Sequence, residues 1–232
     1  METKTVGIIG GLGPETTAKF YLEVLAKAEI VDASHRPSIL IWNVPMDIAI
    51  EDSFIRGNDE SKTYIKLLVE AAKKLEQARA DFLVIPCNSV HVFIDKVRQA
   101  VSIPVLSIVE ETDAFLTKNG IKKVGILATS ATVKNRLYEE LLEQRGIEVV
   151  LPSTNDQGEL DASITRLVHN QGSEQDREKL ESIITTLSNK GVQATLLACT
   201  DLQLIAPSHP TVVIYDTMHI LAESTVKKIF EE

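Results

Sequence analysis

The two cysteines of this 232-residue chain have similar surroundings, and they are the side chains best suited to carry chemistry. Cys87 ends an apolar run that begins at residue 80, and Cys199 ends another that begins at residue 194. Each run predicts a buried strand with a thiol at its carboxyl end, where parallel α/β sheets bind their ligands. Equivalent thiols on two halves of one chain suggest a reaction that needs a sulfur on each side of its substrate.

Polar residues follow Cys87 directly. We expect a helix to begin near Ser89, and a cysteine close to a helix N-terminus has a stabilised thiolate and a lowered pKa. Asn88 and Ser89 are candidate hydrogen-bond donors to an anionic substrate, and Ser89 is also able to cap the helix. His91 lies about one helical turn from Cys87, and we expect a packing or capping role for it.

Cys199 is followed by Thr200 and Asp201, which repeat this arrangement. The Thr200 hydroxyl is a candidate donor to the substrate. Three roles stay open for Asp201, because its charge would hold Cys199 protonated, would contact a substrate ammonium group, or would only cap a helix.

The segment Gly10–Thr17 forms a glycine-rich loop directly after the first predicted strand. Glycine lets the backbone come close to a ligand, so the N–H groups of Gly11, Leu12 and Gly13 are candidates for binding a carboxylate. The spacing is not Gly-x-Gly-x-x-Gly, and no Gly-Lys-Ser/Thr follows, which disfavours dinucleotide and P-loop sites. A tight strand-to-helix turn without a binding role is the alternative.

The counterpart of this loop in the second half is Ala128–Thr132, which offers hydroxyl groups instead of glycines. Thr129 and Thr132 are therefore candidate substrate ligands. The alternative is that Thr132 only caps the helix predicted to begin at Val133.

Short apolar runs alternate with stretches of helical periodicity along the whole chain. The runs predict strands at 6–9, 38–44, 82–85, 105–108, 124–127, 148–151, 195–197 and 212–214. The helical patterns lie at 16–29, 62–77, 89–100, 110–118, 133–144, 160–169, 177–189 and 218–230. This alternation predicts an α/β fold in which parallel sheets are covered by helices on both faces.

The order of these elements repeats, with the Cys87 strand corresponding to the Cys199 strand. We therefore predict two pseudo-symmetric lobes, each a parallel four-stranded sheet flanked by helices. Lobe 1 is expected to span residues 1–113 and lobe 2 residues 114–215. The last helix, within 216–232, is expected to pack back on lobe 1.

The overall composition narrows the classes of partner. The net charge of −9, with acidic and basic residues mixed along the chain, argues against nucleic acid, because no basic stripe is present to neutralise phosphates. The first residues do not read as a signal peptide, and no apolar stretch reaches the roughly 18 residues of a membrane helix. We expect a cytoplasmic protein with free thiols, no membrane partner and no metal site.

The motifs together resemble the aspartate/glutamate racemase family over the length of the chain. The resemblance is carried by Gly10–Thr17, Ile85–His91, Val109–Thr112, Leu127–Thr132 and Leu197–Asp201. The usual forms around the cysteines are Cys-Asn-Thr and Gly-Cys-Thr-Glu. Ser89, Ala198 and Asp201 are mild departures from these forms, and both cysteines are retained.

This resemblance implies a cofactor-independent amino-acid racemase whose active site lies in the cleft between the lobes. It implies that Cys87 and Cys199 act on opposite faces of the α-carbon, one thiolate removing the proton while the other sulfur returns one. Aspartate or glutamate is the implied substrate, and a homodimer the implied assembly. The implied donors to the substrate carboxylate are Asn88, Ser89, Thr129, Thr132, Thr200 and the Gly11–Gly13 loop.

Aspartate-specific proteins that resemble this chain often hold the acidic side chain with an arginine after the second strand and a lysine late in lobe 2. Here Arg56 is the candidate for the arginine, displaced by several residues, and His169 or Asn170 stands near the place of the lysine. The residues at these two places therefore differ from those that hold an acidic side chain in such proteins.

Two other functions are compatible with these residues. The same fold would serve an isomerase or decarboxylase of small dicarboxylates, or a hydantoin racemase. A protein that binds small anions without turnover is a further alternative, which the altered arginine region motivates. A binding protein, however, has no evident need for both cysteines.

Overall fold

A computed structural model of the chain describes residues 3–231 and contains two parallel sheets. The strands of the first sheet are Val6–Gly10 (β1), Ile39–Asn43 (β2) and Phe82–Val84 (β3). Those of the second are Lys123–Leu127 (β4), Glu148–Val150 (β5), Ala194–Leu197 (β6) and Val213–Asp216 (β7). The order β2-β1-β3 corresponds to the order β5-β4-β6 in the second sheet, which adds β7, and this confirms the prediction of two similar α/β lobes.

The first sheet differs from the predicted four strands, since three are present among the described residues. The segment expected to form the fourth strand makes a single parallel bridge, between Val105 and Leu83. Pro104 has no N–H to extend the ladder. The Ser107 side chain then accepts a hydrogen bond from the Glu110 N–H and caps a helix that begins at once.

Helices cover the faces of both sheets. The α-helices span Pro14–Val31 (α1), Ile48–Ile55 (α2), Ser61–Gln77 (α3), Ile94–Arg98 (α4), Ile108–Lys118 (α5), Ser130–Lys134 (α6), Glu139–Gln144 (α7), Thr154–Val168 (α8), Glu174–Asn189 (α9) and Thr217–Ile229 (α10). Short 3₁₀ helices follow both cysteines, at Ser89–Phe93 and Thr200–Ile205. No helix between residues 3 and 231 has the length and apolar character needed to cross a bilayer.

Two predicted helices need correction, and one further helix was not predicted. The helix expected at 89–100 is a 3₁₀ turn followed by the short α4. The helix expected at 133–144 is divided into α6 and α7, because Arg136 adopts a left-handed backbone with φ of 49°. Helix α2 was not predicted, although Asp47 accepts a hydrogen bond from the Ala49 N–H at its start and Gly57, with φ of 80°, follows its end.

A shared apolar core joins the two lobes. One buried cluster contains Ile8 and Val84 of the first sheet together with Ile126 and Leu196 of the second. Helix α10 packs against α1 and α5 beside this cluster. The expected division at residue 113 falls inside α5, so those lobe boundaries stay a prediction.

Candidate active site

Both cysteines line one cavity between the lobes. Cys87 lies just beyond the carboxyl end of β3, and Cys199 lies just beyond the equivalent end of β6. Cys199 is 6% exposed and Cys87 is half-buried. The cavity has a volume of about 30 Å³, which holds roughly two water molecules, so this state of the protein is closed.

Each sulfur has the same backbone environment. Hydrogen bonds from the N–H groups of Ser89 and Val90 favour the thiolate form of Cys87. The N–H groups of Asp201 and Leu202, at the same offsets of two and three residues, do so for Cys199. These pairs arise because a 3₁₀ turn opens directly behind each cysteine. The backbone therefore prepares either position to carry a negative charge.

Burial outweighs these N–H groups and raises the pKa of both thiols. Burial, and then the negative charge of Asp201, raises the pKa of Cys87 to about 12 and that of Cys199 well above its usual value. The Cys199 thiol also donates a hydrogen bond to Asp201 Oδ2, with a sulfur–oxygen distance of 3.8 Å. The expectation of a lowered pKa at Cys87 is wrong for this state, because a short 3₁₀ turn does not offset the loss of water.

His91 has no contact with the Cys87 thiol. The N–H of Ile108 donates to His91 Nε2 at 3.1 Å, so the ring proton lies on Nδ1 and is donated to the Cys87 carbonyl oxygen at 2.8 Å. Burial lowers the pKa of His91 to about 4. The expectation of a packing or capping role is therefore confirmed, because His91 accepts the N–H of Ile108 at the start of α5.

Two carboxyl groups face the same cavity. Burial raises the pKa of Asp201, which is 7% exposed, to about 6. Burial, together with the charges of Asp201 and Asp52, raises the pKa of Glu51 on α2 to about 7. No lysine, arginine or histidine between residues 3 and 231 lines this cavity.

Three hydroxyl groups form a closed ring across the lobe boundary. Ser89 Oγ of the first lobe lies 2.8 Å from Thr129 Oγ1 of the second and 3.1 Å from Thr132 Oγ1. The two threonine oxygens are 3.1 Å apart. Thr129 caps α6 by accepting the Thr132 N–H, so the capping residue is Thr129 and not Thr132. Ser89 and Thr129 line the cavity, as does the buried Thr200, whereas Thr132 lies behind them.

The Asn88 side chain also lines the cavity, but its position is fixed by buried partners. Its amide donates to Thr217 Oγ1 at 3.0 Å, and the Thr217 hydroxyl donates to the Leu197 carbonyl oxygen. The Tyr138 hydroxyl donates to Asn88 Oδ1. Sequence reasoning missed Tyr138 and Thr217, since nothing in their local sequence indicates a partner 50 or 129 residues away.

The glycine loop borders the cavity in an unexpected way. The Gly11 N–H donates to Thr17 Oγ1 at 3.0 Å and so is already satisfied within the loop. Leu12 lines the cavity with its side chain. Gly13 has φ of 87°, and a Cβ there would lie 2.5 Å from Thr16 Oγ1 and 3.3 Å from Asp201 Oδ1. Glycine at 13 therefore allows the loop to lie against the carboxyl group of the opposite lobe.

A larger pocket of about 440 Å³ adjoins the cavity, and Glu51 and Val168 line both. Two hydrogen bonds join the lobes beside it. His169 Nε2 lies 2.8 Å from Asp52 Oδ1, and Asn170 Nδ2 donates to Glu15 Oε1 at 2.7 Å. We call this space the outer pocket and these two contacts the latch.

The two residues predicted to hold an acidic side chain lie outside the inner cavity. Arg56 is exposed at the end of α2 and lines neither pocket. His169 lines the outer pocket, where Asp52 is its partner. Sequence reasoning missed Glu51, although the cap signals at Asp47 and Gly57 were sufficient to predict the helix that carries it.

The chain is similar in sequence and in fold to several racemases. The family model described as Asp/Glu/Hydantoin racemase matches residues 9–225. The broad specificity amino-acid racemase RacX of Bacillus subtilis is 30% identical, with 95% of this chain and 96% of that protein covered. The aspartate racemase structure of Picrophilus torridus is 29% identical with a TM-score of 0.81, covering 97% and 94% of the two chains. An aspartate racemase homologue from Pyrococcus horikoshii is 26% identical with a TM-score of 0.79, covering 98% and 100%.

Proposed function

This chain belongs to the Asp/Glu/hydantoin racemase family, and from this we propose that it racemises an amino acid by proton transfer between the α-carbon and two sulfurs. One observation carries the proposal, namely that Cys87 and Cys199 line a single cavity from equivalent strand ends of the two lobes.

The reaction exchanges one proton for another. The thiolate of one cysteine takes the α-proton, and the electron pair of the broken C–H bond is delocalised into the substrate carboxylate. The thiol of the other cysteine then protonates the α-carbon from the opposite face. The product is the other enantiomer, and the two sulfurs have exchanged thiolate and thiol forms.

The substrate must help to form the thiolate. With its pKa raised to about 12, Cys87 is almost entirely a thiol at pH 7 in the closed cavity. A substrate ammonium group beside Asp201 would cancel the charge that opposes ionisation of both thiols. The N–H pairs behind each cysteine would then hold the thiolate.

The hydroxyl ring supplies the donors for the substrate carboxylate. Ser89 and Thr129 face the cavity, and their hydroxyl hydrogens rotate freely from one acceptor to another. Negative charge grows on the carboxylate when the α-proton leaves, so donors fixed in place there stabilise the transition state more than the ground state.

The charges of the cavity disfavour the alternative functions. A dicarboxylate substrate would place a second negative charge beside Glu51 and Asp201 with no basic side chain in the lining among residues 3–231. A binding protein for small anions meets the same repulsion. Aspartate and glutamate, the substrates implied by the resemblance, stay a prediction for the same reason.

The test is exchange of the α-hydrogen in deuterated water. The wild type, without added cofactor, is expected to replace the α-proton of both enantiomers of an amino acid while optical rotation is lost. Cys87→Ala and Cys199→Ala are each expected to lower racemisation by roughly 100- to 10,000-fold, with thermal unfolding confirming that both fold. Full exchange in both variants would disprove the two-cysteine mechanism, and turnover only of maleate or a hydantoin would replace the proposed reaction.

A further inference from the structure

The carboxyl groups around the cavity indicate which charge the side chain of the substrate carries. Asp201 lies beside Cys199, and therefore beside the position of the α-carbon in the proposed reaction. One carboxylate at this place suffices for the α-ammonium group of any amino acid. The charge of Glu51 is then left for another part of the substrate.

Glu51 occupies the junction between the cavity and the outer pocket, because it lines both. Glu15 lines the outer pocket further from the cysteines. The acidic groups therefore run outward from Cys199, in the direction that a long substrate side chain would take. The outer pocket, at about 440 Å³, has room for such a side chain.

No lysine or arginine among residues 3–231 lines the inner cavity or the outer pocket. The only basic group that lines either pocket, within residues 3–231, is His169, and it is already bonded to Asp52. Arg56 is exposed, and the Lys134 ammonium group lies 3.4 Å from the carbonyl oxygens of Arg56 and Gly57. Recognition of a side-chain carboxylate normally depends on an arginine or lysine that points at it.

A buried carboxylate and an apolar wall provide the surroundings that an amino acid with a long cationic side chain would need. Asp201 is 7% exposed. Among the described residues, the only other side chain that forms a hydrogen bond with its carboxylate is the Cys199 thiol. Leu12, Phe54 and Val168 line the cavity around Glu51 and would pack against the methylene groups of a long side chain.

We propose that the preferred substrate is an amino acid with a cationic side chain, such as a diamino acid, whose α-ammonium group binds Asp201 and whose distal cation binds Glu51. This inference rests on the proposed racemase function. Burial, and then the charges of Asp201 and Asp52, raise the pKa of Glu51, and a bound cation would favour the charged form of this carboxyl group.

The experiment compares exchange of the α-proton in deuterated water for lysine, ornithine, norleucine, aspartate and glutamate. Norleucine matches lysine without the distal charge. Lysine is expected to have the highest kcat/KM, with norleucine lower by roughly 10- to 100-fold, and aspartate and glutamate lower still. Glu51→Gln is expected to lower the lysine-to-norleucine ratio of kcat/KM by roughly 10- to 100-fold, mainly through KM. Glu181→Gln, at an exposed position of α9, is the matched control and should leave the ratio unchanged.

Three other results would overturn the inference, and they differ in what they mean for the racemase function. Faster exchange of aspartate or glutamate than of lysine would overturn the inference while supporting the racemase function. An equal loss for lysine and norleucine in Glu51→Gln would make Glu51 a structural residue and would also overturn it. Absence of exchange with every amino acid would disprove the proposed function, and the inference with it.

Discussion

Ser89 Oγ and Thr129 Oγ1 lie 2.8 Å apart although they belong to different lobes. Each lobe thus completes the hydrogen bonding of the other in the closed state. A substrate carboxylate that replaces this contact would join the lobes through its own oxygens, so binding and closure become one event.

The first prediction concerns this contact. Ser89→Ala removes one donor to the substrate carboxylate and is expected to lower kcat/KM by roughly 10- to 100-fold, since hydrogen bonds to charged groups contribute about 1.5–3 kcal/mol. Thr129 and Thr132 still satisfy each other at 3.1 Å, so the fold should persist. Steady-state kinetics of racemisation measure the effect, with Ser182→Ala on the exposed face of α9 as the control. An unchanged kcat/KM would exclude Ser89 from the carboxylate site.

The second prediction is that Asp201 lowers stability at neutral pH. Its pKa in the folded protein, about 6, lies above the value of 3.8 expected in the unfolded chain. Between these values the folded state binds more protons, so stability falls as pH rises through this window, and the penalty is complete above pH 6. Asp201→Asn should therefore raise the free energy of unfolding by about 3 kcal/mol at pH 8, and by much less at pH 4.5.

Thermal unfolding followed by circular dichroism checks this, with an expected increase in Tm of roughly 6–12 °C at pH 8. Asp95→Asn, at an exposed position on α4, is the control. The same Asp201 variant should lose racemisation. A lower Tm at pH 8 would show that the hydrogen bond from Cys199 outweighs the cost of burying the charge.

The third prediction concerns one of the two contacts of the latch, the hydrogen bond between Asp52 and His169. The closed cavity of about 30 Å³ cannot admit an amino acid, so the lobes must part. Asp52→Ala is expected to increase the alkylation rate of Cys87 by iodoacetamide roughly 2- to 10-fold at fixed pH, in proportion to a lost hydrogen bond. Asp95→Ala serves as the control, and equal rates in the two variants would mean that the latch does not limit opening.

The fourth prediction separates backbone strain from crowding at Gly13. Gly13 and Gly146 both have positive φ, of 87° and 72°, but a Cβ meets other atoms within 4 Å only at Gly13. Gly146→Ala should cost about 1–2 kcal/mol in urea denaturation without loss of activity. Gly13→Ala should cost more and should lower kcat, because the methyl group displaces Asp201. Equal effects on kcat would place Gly13 outside the site.

The sequence was sufficient for the paired strand ends, because strands buried on both faces are continuous apolar runs and each run ends at a cysteine. It was not sufficient for the ionisation of the thiols. The pKa of Cys87 depends on burial and on Asp201, which is 114 positions away in the chain (201 − 87). Local sequence therefore predicted the N–H groups that lower the pKa of Cys87. It did not show the burial and the Asp201 charge, which raise this pKa by more.

Contacts between lobes were equally inaccessible to sequence reasoning. Helix α2 belongs to the first lobe, yet Ile55 at its end packs in the core of the second. That packing helps to bring Glu51 to the cavity, and no local sequence pattern predicts this contact between the lobes. The expected homodimer and cytoplasmic location likewise stay predictions, since they concern neighbours and surroundings of the molecule.

The two sulfurs have matched backbone partners but unequal side chains, since Asp201 adjoins Cys199 and Ser89 occupies the corresponding offset from Cys87. Enantiomers have equal free energy in water, so this inequality cannot change the final 1:1 mixture that a racemase produces. The value of kcat/KM must therefore be the same for both enantiomers, whereas kcat and KM can each differ between the two directions. One enantiomer should therefore bind more tightly and turn over more slowly than the other, by the same factor.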